Sequence, residues 1–390
     1  MPSLFPYPGL RPFHSDEADI FFGREEQTDE LLLKLSQTRF LGVVGPSGCG
    51  KSSLVLAGMI SALESGFMVT AGSRWKIAQM RPGSHPLRRL AEALMDEETL
   101  GDQRIGEHAL PFLEATVQRG PRGLIDALAE TPLEPGTNLL LLVDQFEELF
   151  RFRNDKNCNE QDAFIALLLE TVAQSGLSVY LVITMRSDYL GDCALFPGLP
   201  EALNQSQYLT PRLSREQREA AIIGPAQVFG GDVDAALLNQ LLNETGNDPN
   251  QLPVLQHLLM RMWSSTKSSK PVKPGNPFFA GIPEENLGHV LGLSDYEQVG
   301  GIAGALSGHA DQAYGNLNDE QKELQKFFFV LSVNVVLRGV MVGIPPLLEL
   351  LQNEQVLRLK RLLKLSNCFV ILSTVFLLRR FPKSFSLIPL

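Results

Sequence analysis

An apolar run, Phe40-Leu-Gly-Val-Val44, leads straight into Gly45-Pro46-Ser47-Gly48-Cys49-Gly50-Lys51-Ser52, and a helical pattern follows. No other stretch constrains the fold as tightly. The apolar run predicts a short buried strand. Glycines in a G-x-x-x-x-G-K-S spacing let the backbone curl closely and turn its N–H groups inward onto phosphate oxygens. Lys51 is placed to reach the outer phosphates of a nucleotide, and the Ser52 hydroxyl is a ligand for Mg²⁺. A helix opening at Lys51-Ser52-Ser53 points its positive dipole end at the same anion. Strand, phosphate loop and helix in that order predict a P-loop α/β core.

The rest of the chain fits that core. Trp75–Met80, Asn138–Asp144 and Val179–Met185 read as further strands. Asn138-Leu-Leu-Leu-Leu-Val-Asp144 is apolar until its last residue, as in a parallel strand covered on both faces. Helical patterns at Glu25–Gln37, from the phosphate loop to about Glu64, and at Leu87–Met95 alternate with these strands. That alternation predicts a doubly wound parallel sheet to about residue 200. From residue 211 the pattern is helical, with expected helices at Arg215–Ile223, Ala235–Glu244, Leu252–Trp263, Tyr296–Tyr314 and Asn318–Phe329. The expected organisation is an N-terminal segment (1–38), the P-loop core (39–210), an α-helical lid (211–329) and an atypical tail (330–390).

Five further positions bear on the chemistry. Asp144 ends a buried strand, where a carboxylate beside the phosphate loop holds Mg²⁺ together with Ser52; a helix N-cap is the structural alternative. Glu147 and Glu148 follow at once, and a glutamate here polarises an attacking water, with Glu148 the first choice. Gln145 stands directly after Asp144, where many hydrolysing P-loop enzymes carry an acid, which argues for slow turnover. Arg186 ends the fourth predicted strand. From that tip it faces a γ-phosphate, or it pairs with Asp188 or Glu147.

Together these motifs resemble the STAND class of P-loop NTPases, and within it the bacterial novel STAND group often joined to WD repeats. The resemblance is carried by Pro6-Tyr-Pro-Gly-Leu-Arg-Pro-Phe13, Phe21-Phe-Gly-Arg-Glu25, the segment Arg39–Ser53, Met80-Arg-Pro-Gly-Ser-His-Pro86, Leu142-Val-Asp-Gln-Phe-Glu-Glu-Leu-Phe150, Met185-Arg-Ser-Asp-Tyr-Leu190, Gln251-Leu-Pro-Val-Leu-Gln-His257 and Asp295-Tyr-Glu-Gln-Val-Gly-Gly301. It covers about residues 5–329. It implies that Gly45–Ser52 is the Walker A motif and Asp144 belongs to Walker B. It also implies that Phe22, Gly23 and Arg24 contact adenine, that Arg186 is a sensor, and that Pro253 packs on the nucleotide. The implied activity is a switch, closed with ADP and oligomerising with ATP, that hydrolyses slowly and controls sensor or effector modules. A remodelling ATPase and a non-hydrolysing nucleotide-bound scaffold are the alternatives.

Charge and composition narrow the setting. With 390 residues and a net charge of −10, the chain does not read as a general nucleic-acid binder. Cys49, Cys158, Cys193 and Cys368 form no C-x-x-C pair, so no zinc site or disulfide framework is indicated. The N-terminus lacks the basic and apolar regions of a signal peptide, and a reducing cytoplasm is expected. Residues 331–390 hold eight Lys/Arg and two Asp/Glu, so they are basic where the rest is acidic. Two readings of this tail stay open: a shifted reading frame near Lys326-Phe-Phe-Phe329, or a weak hydrophobic anchor. Its uninterrupted apolar stretch is short of the ~20 residues that a membrane helix needs.

Overall fold

The computed structural model describes residues 5–68, 71–101, 108–153, 157–246, 251–265 and 287–315, with Leu317 and Lys322. The tail 330–390 lies outside the described residues, as does nearly all of the helix expected over Asn318–Phe329. The chain divides into two compact units, one ending at Leu291 and one starting at Gly292.

The first unit is built on a five-stranded, wholly parallel sheet: β1 (Phe40–Gly45), β2 (Trp75–Met80), β3 (Asn138–Val143), β4 (Val179–Arg186) and β5 (Gln207–Leu209). Their order is β2-β3-β4-β1-β5. The four expected strands are all present. The fifth is a three-residue edge strand, Gln-Tyr-Leu, paired with β1 from Gly42 to Val44. It is too short to carry a two-residue alternation.

Parallel neighbours need crossovers, and helices supply them. α1 (Glu25–Thr38) precedes β1. After β1 one helical stretch is assembled from α2 (Lys51–Ser53), a π-helical run (Leu54–Ile60) and α3 (Ser61–Glu64). α4 (Pro86–Leu94), α5 (Ala109–Val117) and α6 (Gly123–Glu130) link β2 to β3. α7 (Glu148–Arg151) and α8 (Cys158–Ala173) link β3 to β4, and α9 (Leu199–Ser206) leads to β5. The sequence signals no element where α5, α6, α8 and α9 stand. In α8 the run Ala-Phe-Ile-Ala-Leu-Leu-Leu is too uniformly apolar to show a stripe.

The two faces of β3 explain its composition. Leu139, Leu141 and Val143 pack in a core with Leu90, Leu128, Phe164 and Leu168. Leu140 and Leu142 enter a second core with Leu31, Leu35, Leu54 and Met59. Both faces are covered, so no polar alternation is available to the strand.

Beyond β5 come α10 (Arg215–Val228), α11 (Ala235–Thr245) and α12 (Gln251–Ser265). Ser214 caps α10 by accepting from the Gln217 N–H, and Gln217 returns a bond to the Ser214 N–H. A two-residue parallel ladder joins β6 (Asp232–Val233) to β7 (Val290–Leu291). The N-terminal segment packs on this region: Tyr7 is buried, edge-on to Trp263, and its hydroxyl donates to the Ile222 carbonyl. In the second unit, α13 (Leu293–Gln298) and α14 (Gly301–Gly315) replace the single helix expected over Tyr296–Tyr314. Gly300 and Gly301 adopt φ of 79° and 62°, which ends one helix before the next begins. Among the described residues no helix is long and apolar enough to cross a membrane.

Candidate nucleotide-binding site

Parallel strands deliver their C-terminal ends to one edge of the sheet, and most of the singled-out residues lie there. Gly45 closes β1. A side chain on it would meet Cys49 Sγ at 2.8 Å and Thr210 Cβ at 3.3 Å, so the loop's first turn has room only for hydrogen. Gly48 and Gly50 take φ of 73° and 90°, which L-residues with side chains rarely adopt. Pro46 is half-buried, Ser47 exposed and Cys49 buried. The Lys51 ammonium donates to the carbonyls of Gly45 (2.9 Å) and Pro46 (2.8 Å). It therefore folds back over its own loop, held by two neutral acceptors that an anionic phosphate can replace. Ser53 points elsewhere, its hydroxyl accepting from the Phe13 N–H at 3.2 Å.

Asp144 sits at the end of β3, only 2% exposed. Its Oδ1 accepts from Ser52 Oγ at 2.8 Å and from Thr184 Oγ1 at 2.7 Å. Its Oδ2 lies 3.5 Å from Arg81 Nε, at the end of β2. A carboxyl group this buried needs such partners for its oxygens. The helix N-cap alternative is not what its side chain does. Oxygen donors from a hydroxyl and a carboxylate suit Mg²⁺, so the residues present fit that ion. Thr184 and Arg81 escape the motif reading. Each leaves a trace in the sequence, a hydroxyl inside the apolar run Val182-Ile-Thr-Met185 and a cation directly after a strand.

Gln145 is left-handed, with φ of 56°, and its N–H is bonded to Thr184 Oγ1 at 3.1 Å. That one residue turns the chain, so that the Phe146 N–H reaches the Thr184 carbonyl and Phe146 goes into the core. The two glutamates then separate. Glu147 is buried, and its Oε2 accepts from the Arg186 N–H at 3.3 Å. Burial pushes its carboxyl above the ordinary range, while hydrogen bonds and the nearby Lys51 and Arg186 charges pull the other way. Glu148 turns aside and accepts from the Gly83 N–H at 3.0 Å. Arg186, at the tip of β4, pairs with Asp188 and lies over the Tyr189 ring, and among the described residues its buried Nε has no hydrogen-bond partner.

The Phe22-Gly23-Arg24 turn is packed against α10. A Cβ on Gly224 would lie 2.5 Å from the Phe22 ring, and one on Gly23, whose φ is 81°, would lie 2.3 Å from the Gln217 carbonyl oxygen. The Arg24 side chain is buried and spent on two carbonyls, Cys49 (3.0 Å) and Pro211 (2.9 Å). Pro253 is half-buried in the first turn of α12, where its missing N–H costs no helical bond.

No curated protein matches the chain. Similar solved structures include the ORC2 protein of Aeropyrum pernix in ADPNP and ADP complexes, at 14% identity and TM-score 0.41, covering 62% of this chain and 61% of that one. A Walker-type ATPase of Pyrococcus abyssi matches at 14% identity and TM-score 0.40, over 88% and 92%. The Hsp104–casein complex of S. cerevisiae matches at 15% identity and TM-score 0.39, over 61% and 37%. The chain thus spans less than two thirds of the ORC2 and Hsp104 chains. The model of a protein family, Novel STAND NTPase 1, matches residues 6–341, past the Phe329 at which the motif resemblance ends. A match of that length identifies the chain as a member of the novel STAND family of P-loop NTPases.

Proposed function

We propose that this chain is an ATP-binding switch that hydrolyses slowly and assembles with copies of itself when ATP is bound, so controlling sensor or effector modules. Lys51 and the backbone N–H groups of the Gly45–Ser53 loop, Pro46 excepted, hold the phosphates. Ser52 and Asp144 hold Mg²⁺, which when bound offsets charge on the phosphate oxygens. Glu147, rather than Glu148, takes the proton of the attacking water, and Arg186 senses the γ-phosphate. Phe22 and Gly23 pack beside the base, and Pro253 couples the helical region to nucleotide state.

The observation that carries this reading is the placement of Glu147. A buried carboxyl with a raised pKa, within electrostatic reach of Lys51 and Arg186, is what a general base needs. The test is a single-turnover assay with radiolabelled ATP. Glu147→Gln should slow phosphate release by about 10²–10⁴-fold with ATP binding retained, while Glu148→Gln changes it little. The reverse pattern would overturn the assignment of the base. A second reading, a nucleotide-bound scaffold without turnover, draws on Gln145 in the position after Asp144. It predicts no phosphate release over hours from the unmodified protein.

A further inference from the structure

We propose that Arg24 is a positioning residue that ties the phosphate loop to the connector entering the helical region, and that its side chain does not read the base. Arg24 is 4% exposed, and among the described residues no carboxylate pairs with it. Its two terminal nitrogens instead donate to Cys49 O, inside the phosphate loop, and to Pro211 O, two residues past the end of β5. A planar fork that spans two carbonyls fixes the separation of the segments carrying them. The same connector is held at two more points. The Thr210 N–H donates to the Val44 carbonyl at 2.8 Å, and the Thr210 side chain lies against Gly45.

The turn bearing Arg24 is itself interlocked with α10 through Gly23 and Gly224. One residue thus joins three parts: the loop that would hold phosphate, the connector, and the first helix beyond it. Any shift of Cys49 as phosphates enter must be passed to Pro211, or else the Arg24 bonds must break. A charge this buried cannot be left with fewer partners cheaply, so the bonds hold and the connector follows.

The inference rests on phosphate binding at Gly45–Ser52 as proposed above, and the experiment separates the two. Hydrogen exchange is followed at residues 210–218 in the free, full-length protein for wild type, Arg24→Ala and Arg24→Lys. In parallel, calorimetry measures binding of Mg-ATP, Mg-GTP and tripolyphosphate. Both variants should exchange faster at 210–218 than wild type. Arg24→Ala should weaken ATP and GTP by the same factor, about tenfold or more, leaving the preference between bases unchanged. Where wild type binds tripolyphosphate, it should weaken by that factor too. Unchanged exchange in both variants would overturn the tie, and a loss confined to one base would overturn the claim about the side chain. Arg24→Lys keeps the charge without the fork, so it carries the exchange test if Arg24→Ala fails to fold. If wild type binds none of the three ligands, the nucleotide reading fails instead, and the exchange result still stands on its own.

Discussion

The front and the back of the phosphate loop are held by different kinds of contact. At the front, Lys51, Ser52, Asp144 and Glu147 rest on loop carbonyls, hydroxyls, one N–H and, for Asp144, the Arg81 guanidinium. A ligand with phosphates and a metal can take over those of Lys51 and Ser52. At the back, the Phe22–Arg24 turn meets α10 through positions with no space for a methyl group, and Arg24 is enclosed by main-chain oxygens. The contrast teaches that a chemical edge and a mechanical joint can share one eight-residue loop. The first is poised for exchange of partners, and the second resists it.

The sharpest way to break this contrast is Lys51→Ala. ATP affinity should fall by about a hundredfold, because charge-assisted bonds to phosphate are lost. The stability of the free protein should move by less than about 1 kcal/mol, since the two bonds given up are part-buried and go to neutral carbonyls. Calorimetry and denaturant unfolding measure the two, and a large loss of stability would show that the front is structural as well.

Gly224→Ala probes the back. Alanine in a helix interior gains about 1 kcal/mol over glycine, whereas a Cβ 2.5 Å from the Phe22 ring overpacks by about 1–3 kcal/mol. The expected outcome is a net loss in thermal melts that shrinks when Phe22→Ala is made in the same chain. Additive effects of the two changes would mean that the joint has slack.

The smallest effect is with pH. Glu147 holds its proton to higher pH in the folded state than in the unfolded chain. Its contribution is therefore fully present below the unfolded value of about 4.3 and is lost as pH rises through the raised folded value. Glu147→Gln should remove that slope, so the variant gains on wild type as pH climbs from about 4. Parallel melting curves across that range would show an ordinary carboxyl and weaken its case as a base.

Much of this was legible in the residues. Gly45, Gly50 and Lys51 announce a phosphate loop because backbone conformation and charge leave few substitutes. The all-apolar run before Asp144 announces a strand buried on both faces. What stayed hidden depends on backbone turns that spacing does not encode. Nothing in Gln145 says that it will be left-handed, yet after that turn Glu147 meets the Arg186 N–H and Glu148 meets the Gly83 N–H. Arg24 reads as part of a base-contacting motif, but its guanidinium is occupied by carbonyls from segments 25 and 187 residues away. β5 is missed because three residues carry no period, and α8 because a helix buried on several faces loses its stripe.

The position of β4 has a consequence of its own. It runs between β1 and β3, so the strand that leads to the phosphate loop and the strand that leads to Asp144 never touch. Two strand spacings, each about 4.8 Å, set how far apart their chains stand before any side chain is chosen. Thr184 stands in that gap, beside Val43 in the ladder and bonded to Asp144. The sheet therefore acts as a ruler. The separation of the β1 and β3 ends is graduated in hydrogen-bonded strands, and the loop after Gly45 together with the side chains closes it to the 2.8 Å between the Ser52 hydroxyl and Asp144.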